Sequence, residues 1–242
     1  MREFAARWGG VALVAIGVVS IVWLAATGRM TLYVHPAHVP FAVVMAVLGG
    51  VLVAVACATD ERRGRGAAAR EPGSGRRAAS SLAAVGVLAV GMLVLPPAAL
   101  SPALAADRVT DVAPALLAGD PADAVGADSS EFTVRDWASV VASGADPGAL
   151  APPEALIGFA MPSDELGEDG FVLTRFAITH CAIDAQPVGV EVSLSGWRSR
   201  LAEGEWVSVA GVFGARAEPG RAPVIEATSV EPIPAPEDPY VR

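Results

Sequence analysis

Three side chains that can bind a metal ion lie within five residues of this sequence: His180, Cys181 and Asp184. Imidazole and thiolate ligands together suit a borderline-soft cation such as zinc. Two more histidines, His35 and His38, lie in the N-terminal half, and all five residues are candidates for one metal site. The alternative is that His180 and Cys181 pack or hydrogen-bond at a strand end, because two ligands from one strand are too few for a closed tetrahedral site.

Arg175 and Asp184 bracket the same stretch with opposite charges. An ion pair between them would fix the geometry of a strand and the turn that follows it. The alternative is that these two residues, together with Trp206, contact a partner or a ligand. Trp137, Trp197 and Trp206 are all expected in a core or at its rim, where large aromatic side chains contribute most.

Four acidic residues lie within six positions: Asp164, Glu165, Glu168 and Asp169. Paired carboxylates can act as acid–base catalysts or bind calcium, but a solvated turn between two strands is the preferred interpretation. The sequence contains no Gly-x-Ser-x-Gly, His-Glu-x-x-His or phosphate-loop motif. We therefore expect a protein that is not an enzyme.

The elements that would position these residues begin with long apolar stretches. Residues 8–27 and 39–58 are each twenty uncharged, mostly apolar positions, and residues 78–95 add eighteen more. About twenty helical residues, at 1.5 Å each, cross the ~30 Å hydrocarbon core of a membrane. We predict three membrane-spanning helices within residues 1–106, the third ended or kinked by Pro96-Pro97.

The predicted spans contain no charged residue. Pumps and carriers place ionisable groups at membrane depth, so this chain alone is not expected to be the conducting unit of a transporter. Ser20, Gly49 and Gly50 are small residues that would let two of the spans pack closely.

Arginine placement predicts the orientation of the spans. Arg2 and Arg7 precede the first span and six arginines lie in the loop 59–77, whereas the loop between the first two spans carries only Arg29. The positive-inside rule then places the N-terminus and the Arg-rich loop in the cytoplasm. Three spans leave the C-terminal half outside the cytoplasm, on the same side as the three histidines.

Two alternatives involve proteolytic processing. The first span has the basic start of a signal peptide, but no small-x-small site follows it closely. Ala103-Leu104-Ala105, after the third span, fits a signal-peptidase site, and cleavage after Ala105 would release the outer domain. The preferred interpretation is an uncleaved, Ala-rich helix end.

The pattern becomes β-rich in the second half of the chain. Residues 107–153 are typical of a linker with one short helix over 134–142, which the capping-box pattern of Thr133 and Asp136 begins. Residues 154–233 contain five short strand-like segments: 155–160, 171–179, 188–194, 206–213 and 224–230. This pattern predicts a small five-stranded OB-like barrel, and residues 234–242 are predicted to be a tail. The predicted fold class is therefore membrane-anchored all-β, with three N-terminal transmembrane helices before the barrel.

The net charge of -9 is divided unevenly along the chain. Up to Ala106, nine Arg stand against four acidic residues (+5), and from Asp107 onward eight Arg stand against twenty-two (-14). An acidic outer domain repels phosphate, so nucleic acid is not expected as a partner. Cys57 and Cys181 fall in different halves, so the sequence predicts no disulfide framework.

The stretch from Gly170 to Val190, GFVLTRFAITHCAIDAQPVGV, resembles the signature of the YcgQ-like permease-subunit family. Three other segments resemble this family too: Gly204–Gly211, Tyr33–Pro36 and Leu95–Pro97. The resemblance covers most of the chain and is most specific between Arg175 and Ala185. It implies an uncharacterised membrane protein with N-terminal spans and a C-terminal β-rich domain.

The family pattern often has a Cys pair where this chain has His180 and Cys181. If the site serves metal or redox chemistry, the histidine keeps a metal-binding side chain but removes a vicinal dithiol. The resemblance also implies a partner, because family members are thought to work with a multi-span permease.

The function predicted from the sequence is therefore that of a non-catalytic accessory subunit of a multi-span permease in the cell membrane. Its extracytoplasmic β domain would cap or gate the partner, or present a ligand to it. One alternative is an extracytoplasmic zinc-handling protein that uses His180, Cys181 and the two N-terminal histidines. Another is an envelope interaction module without a link to transport.

Overall fold

The computed structural model describes residues 2–63, 100, 102, 105, 129–214 and 222–241. The chain divides into two compact units, residues 1–98 and 99–242, and each is described by itself. The third predicted span, most of the Arg-rich loop and the first part of the predicted linker lie outside the described residues.

The first unit contains two long helices, α1 (Arg2–Ala26) and α2 (Val39–Arg63). Gly28, with a φ of 72°, follows α1, a left-handed conformation that glycine adopts without steric cost. Two short 3-10 turns, Arg29–Leu32 and Pro36–His38, then lead into α2.

One helix of the described residues is long and apolar enough to cross a membrane. It comprises Pro36–Thr59, with a mean hydropathy of 2.7, while the apolar part of α1, Val11–Ala26, is shorter. The sequence predicts three spans, but only this one helix among the described residues meets the criterion. Membrane anchoring by three helices therefore stays a prediction.

The two helices of the first unit pack against each other, and α2 contributes small residues to the contact. Ala42, Ala46 and Gly50 are half-buried and spaced four residues apart, which puts them on one face of the helix. A Cβ at Gly50 would lie 3.0 Å from Cγ2 of Val18, whereas one at Gly49 would meet nothing within 4 Å. Of the predicted glycine pair, Gly50 is thus the one at the close approach.

The second unit contains a closed five-stranded β-barrel, which confirms the predicted barrel. Its strands are β1 (Leu156–Pro162), β2 (Gly170–Ala177), β3 (Gln186–Ser193), β4 (Trp206–Gly214) and β5 (Val224–Pro232). The order around the barrel is β1–β2–β3–β5–β4 and back to β1. Only the β3–β5 pair of these is parallel, which is consistent with the predicted OB type.

The barrel core is built from alternating apolar residues of the strands, as period-2 patterns dictate. Phe171 and Leu173 of β2 and Val207 and Val209 of β4 are fully buried in it, together with Trp197 from the β3–β4 connection. The predicted second strand extends to residue 179, but β2 ends at Ala177, because residues 178–185 form the turn to β3.

A short helix before the barrel, α3 (Val134–Ala142), covers the same residues as the helix predicted from sequence. Asp136 closes the capping box, because its Oδ2 accepts bonds from the N–H and the hydroxyl of Thr133, both at 2.7 Å. Val134 and Trp137 are buried in the barrel core, so the helix is part of the folded barrel unit.

The C-terminal residues that the sequence suggests are a tail contain a sixth strand, β6 (Tyr240–Val241). It pairs in parallel with the end of β2, at Phe176 and Ala177. Pro239, Tyr240 and Val241 are buried. The chain end is therefore packed onto the barrel.

Candidate functional site

The predicted metal residues of the second unit lie in the turn between β2 and β3, residues 178–185. The carboxylate of Asp184 accepts hydrogen bonds from the main-chain N–H groups of Thr179 at 3.2 Å, His180 at 2.9 Å and Cys181 at 3.2 Å. Nδ1 of His180 also lies 3.1 Å from Oδ2 of the same carboxylate. Asp184 therefore holds the turn together.

The hydrogen bonds to Asp184 change its acidity. Partial burial raises the pKa of Asp184, but the N–H donors of Thr179, Cys181 and His180, with the His180 side chain, together lower this pKa below its ordinary value. The carboxylate is thus held in its ionised form, in which it can accept several hydrogen bonds at once.

The turn displays its other side chains to solvent. The His180 side chain is 71% exposed, Cys181 is half-buried, and Ile183 at the tip is 87% exposed. A metal site would need further ligands here, but within the described parts of the chain no group of three His, Cys, Asp or Glu side chains is placed to hold a metal ion. Zinc binding at this turn therefore stays a prediction, because a closed zinc site needs four ligands.

His35 and His38 belong to the first unit, in the connection between α1 and α2. Nδ1 of His35 accepts a hydrogen bond from the N–H of Ala37 at 3.3 Å, and the two imidazole rings are 6.0 Å apart. His35 thus caps the 3-10 turn Pro36–His38.

Arg175 and Asp184 do not form the ion pair that the sequence suggests, because each binds other partners. The Arg175 guanidinium donates to the main-chain carbonyls of Asp238 at 2.7 Å, Tyr240 at 3.0 Å and Pro239 at 3.1 Å. It also lies over the ring of Trp206, 5.4 Å from the centroid. The physical reason is that a forked guanidinium can satisfy several carbonyls of one extended segment, while the main chain of its own turn satisfies Asp184.

Trp206 belongs to an aromatic group beside the chain end. Its ring meets Phe159 edge-on at 5.3 Å, and Phe159 lies 5.6 Å from Phe176. Both phenylalanines are fully buried. Trp206 and Arg175 therefore serve the packing of the C-terminal segment onto the barrel.

The predicted solvated acidic turn is bound to the β3–β4 connection. Arg198 donates to Glu168 at 2.9 Å and lies over the ring of Trp197. Nε1 of Trp197 donates to the carbonyl of Gly167 at 3.2 Å, and Ser195 bonds Asp169. Two acidic residues of the cluster thus have structural partners, which the sequence could not reveal because those partners lie about thirty positions away.

The sequence also missed the role of the chain end. Asp238, Pro239 and Tyr240 carry the carbonyls that Arg175 binds, yet a two-residue strand is too short to show an alternating pattern. The only signal is the apolar pair Tyr240-Val241 after a proline-rich stretch.

Comparison with known proteins adds a family domain to this geometry. No curated protein and no solved structure matches the chain. The matched region begins two residues before β1 and includes all six strands. Residues 154–242, and with them the whole barrel, thus carry a DUF1980 C-terminal domain, which belongs to an uncharacterised family.

Proposed function

We propose that this chain is a non-catalytic accessory subunit of a multi-span permease, anchored in the membrane by its N-terminal helices. The barrel lies outside the cytoplasm in this proposal, where it caps or gates the partner or presents a ligand to it. The resemblance of Gly170–Val190 to the YcgQ-like family supports the kind of partner.

The observation that carries the proposal is an apolar seam on α2. It consists of Phe41, Met45, Leu48, Leu52 and Val55, all large and exposed, at alternating spacings of four and three residues. This spacing places the five side chains along one stripe of the helix, as in knobs-into-holes packing. The face of α2 that carries Gly50 packs on α1, so no other helix among the described residues covers the seam.

The described part of the barrel supports a non-catalytic role. Its core is filled by large side chains such as Trp137, Phe171 and Trp197. The polar residues that the sequence suggests for chemistry, Asp184 and Arg175, bind main-chain groups of the barrel itself. Such contacts stabilise the fold. In this proposal the barrel therefore recognises its partner through its surface.

Co-purification tests the proposal. The tagged full chain is extracted from its native membrane in mild detergent, and accompanying proteins are identified by mass spectrometry. We expect one multi-span permease in a fixed ratio to the chain. The double variant Leu48→Ala/Leu52→Ala should lose it, because both residues lie in the seam, while Val47→Ala/Val51→Ala, also exposed on α2, should retain it.

Two results would contradict the proposal. If no multi-span protein accompanies the wild-type chain, the accessory role is wrong. If the seam variant and the control variant retain the permease equally, the partner is real but the α2 seam does not bind it.

A further inference from the structure

A cavity of about 140 Å³ lies between β5 and the connection from β3 to β4. Its lining includes Leu194, Arg200 and Leu201 from the connection and Thr228, Ser229 and Val230 from β5. Leu194, Leu201 and Val230 belong to, or pack against, the barrel core, so one wall of the cavity is apolar and firmly held.

The cavity arises where two strands of the barrel part. β3 and β5 are paired only at Val192–Ile225 and Ser193–Glu226. Beyond this point β5 carries a bulge, because Ala210 and Gly211 of β4 face Ser229 and Ala227, which leaves Thr228 as the extra residue. A bulge bends a strand and redirects its side chains, and Thr228 here lines the cavity.

Gly211 makes this bulge possible. A Cβ at Gly211 would collide with the main-chain carbonyl of Glu226. The close approach of β4 and β5 therefore requires glycine at this position.

The main chain at Arg200 is held by a hydrogen-bonded turn, and its side chain is exposed. Trp197 is fully buried, and its carbonyl accepts bonds from the N–H groups of Arg200 and Leu201, both at 2.9 Å. Arg198 on the same turn is bound to Glu168. The guanidinium of Arg200, in contrast, has no hydrogen bond or ion pair to any residue that the structure describes.

The lining thus combines one guanidinium, aliphatic side chains and two hydroxyl groups, which donate to the carbonyl of Ala210 and to the carboxylate of Glu231. A guanidinium recognises carboxylate oxygens in its plane, and an apolar wall favours a short hydrocarbon tail. The volume corresponds to about four or five waters at ~30 Å³ each, which is room for a four-carbon acid. We propose that this cavity binds a small aliphatic monocarboxylate, its carboxylate on Arg200 and its tail between Leu194, Leu201 and Val230.

One acidic group close to the lining opposes an anion. Oε1 of Glu231 lies 3.4 Å from the hydroxyl of Ser229. Its negative charge weakens anion binding without filling the cavity. Removal of this charge should therefore strengthen carboxylate binding, whereas removal of the Arg200 charge should weaken it.

The experiment titrates the ¹⁵N-labelled full chain in detergent micelles with sodium butyrate at constant ionic strength. Amide shifts of Leu201, Thr228 and Ser229 are followed by NMR. We expect saturable shifts with a dissociation constant on the order of millimolar, as for a ligand of this size. Butyramide, a neutral molecule of the same shape, should bind at least about tenfold more weakly.

Three variants complete the test. Arg200→Gln should weaken butyrate at least about fivefold, Arg198→Gln should leave it unchanged, and Glu231→Gln should tighten it. The inference is overturned if butyrate causes no saturable shifts at these amides, if butyramide binds as well as butyrate, or if Arg200→Gln binds like the wild type. None of these readouts needs a permease, so the result is independent of the accessory role.

Discussion

The guanidinium of Arg175 binds the main-chain carbonyl of Asp238 at 2.7 Å, although 63 positions separate the two residues. The same side chain binds the carbonyls of Pro239 and Tyr240. These three acceptors are main-chain oxygens, so the contacts hold the chain end in an extended path. β6 can then pair with β2.

Replacement of Arg175 should release the chain end. Arg175→Gln is expected to lower the free energy of unfolding by about 2–3 kcal/mol, because several hydrogen bonds from a charged donor are lost at a half-buried site. The measurement is urea unfolding of the full chain in detergent, followed by tryptophan fluorescence. Arg198→Gln is the control and should cost at most about 1 kcal/mol, because it breaks an exposed ion pair.

A coupling measurement between Arg175 and the chain end distinguishes the binding of the chain end by Arg175 from a general loss of packing. Truncation after Glu237 removes the three chain-end residues that Arg175 binds, while the carbonyl of Ile157 and the ring of Trp206 remain beside it. Arg175→Gln should then cost less in the truncated chain than in the full chain, since the effects of contacting groups are not additive. Equal costs of Arg175→Gln in the full and the truncated chain would show that the guanidinium acts elsewhere.

Asp184 should make the stability of the barrel depend on pH. Its folded-state pKa is lowered below the unfolded value of 3.8, so its contribution is fully present above that value and is lost as the pH falls through the folded-state pKa. Asp184→Asn should destabilise the protein by about 1 kcal/mol at neutral pH. The difference in thermal midpoint between wild type and variant should shrink as the pH falls below about 4. A constant difference would mean that the charge of Asp184 is not what holds the turn.

Trp137 and Trp197, both fully buried, should respond differently to the same change. Nε1 of Trp137 is buried without a hydrogen-bond partner among the described residues, whereas Nε1 of Trp197 donates to Gly167. Trp→Phe removes a similar volume at both sites, so the hydrogen bond decides the difference. Trp197→Phe should therefore be less stable than Trp137→Phe by about 1–2 kcal/mol in urea unfolding. The reverse order would indicate a partner for Trp137.

The close approach of α1 and α2 should depend on one glycine. Gly50→Val places a branched side chain against Val18, while Gly49→Val meets open space. We expect Gly50→Val to loosen the helix pair by about 1–3 kcal/mol and to speed proteolysis of the connection 27–38 in detergent. Gly49→Val carries the same propensity change and should behave like the wild type. Similar proteolysis rates for the two variants would rule out this packing.

The candidate cleavage site after Ala105 should remain uncut in the folded protein. Ala105 is fully buried and helical, and a Cβ at Gly204 would lie 2.8 Å from Cβ of Pro102, so Pro102 packs beside Gly204. Proteases need exposed, extended backbone. Tags at both ends should appear on one band of full size in an immunoblot of membranes. Separate N- and C-terminal fragments would show that processing precedes this packing.

Local patterns explain what could be predicted from the sequence. The bounds of all five barrel strands agree with those predicted to within two residues, because alternation and turn residues act over a few positions. α3 is equally local, since Thr133 and Asp136 are only three residues apart. The pattern also indicated close packing at Ser20 and Gly50, although it could not show that Gly49 faces away from α1.

The partners of the polar residues depended on contacts between residues that are distant in sequence. Asp184 was a plausible partner for Arg175 by charge and proximity in sequence, but its carboxylate is bound by Thr179, His180 and Cys181. Which acceptor a guanidinium binds depends on what the folded chain places beside it. In this protein that segment is the chain end.

The sequence by itself determined the apolar stretches, the division of charge between the two halves and the strands of the barrel, because each arises from neighbouring residues. Tertiary structure decided the partner of Arg175, the site at which β6 pairs and the cavity beside Arg200. These features join residues that are distant in sequence. Closure of the barrel brings such residues together, and no local sequence pattern indicates which of them will meet.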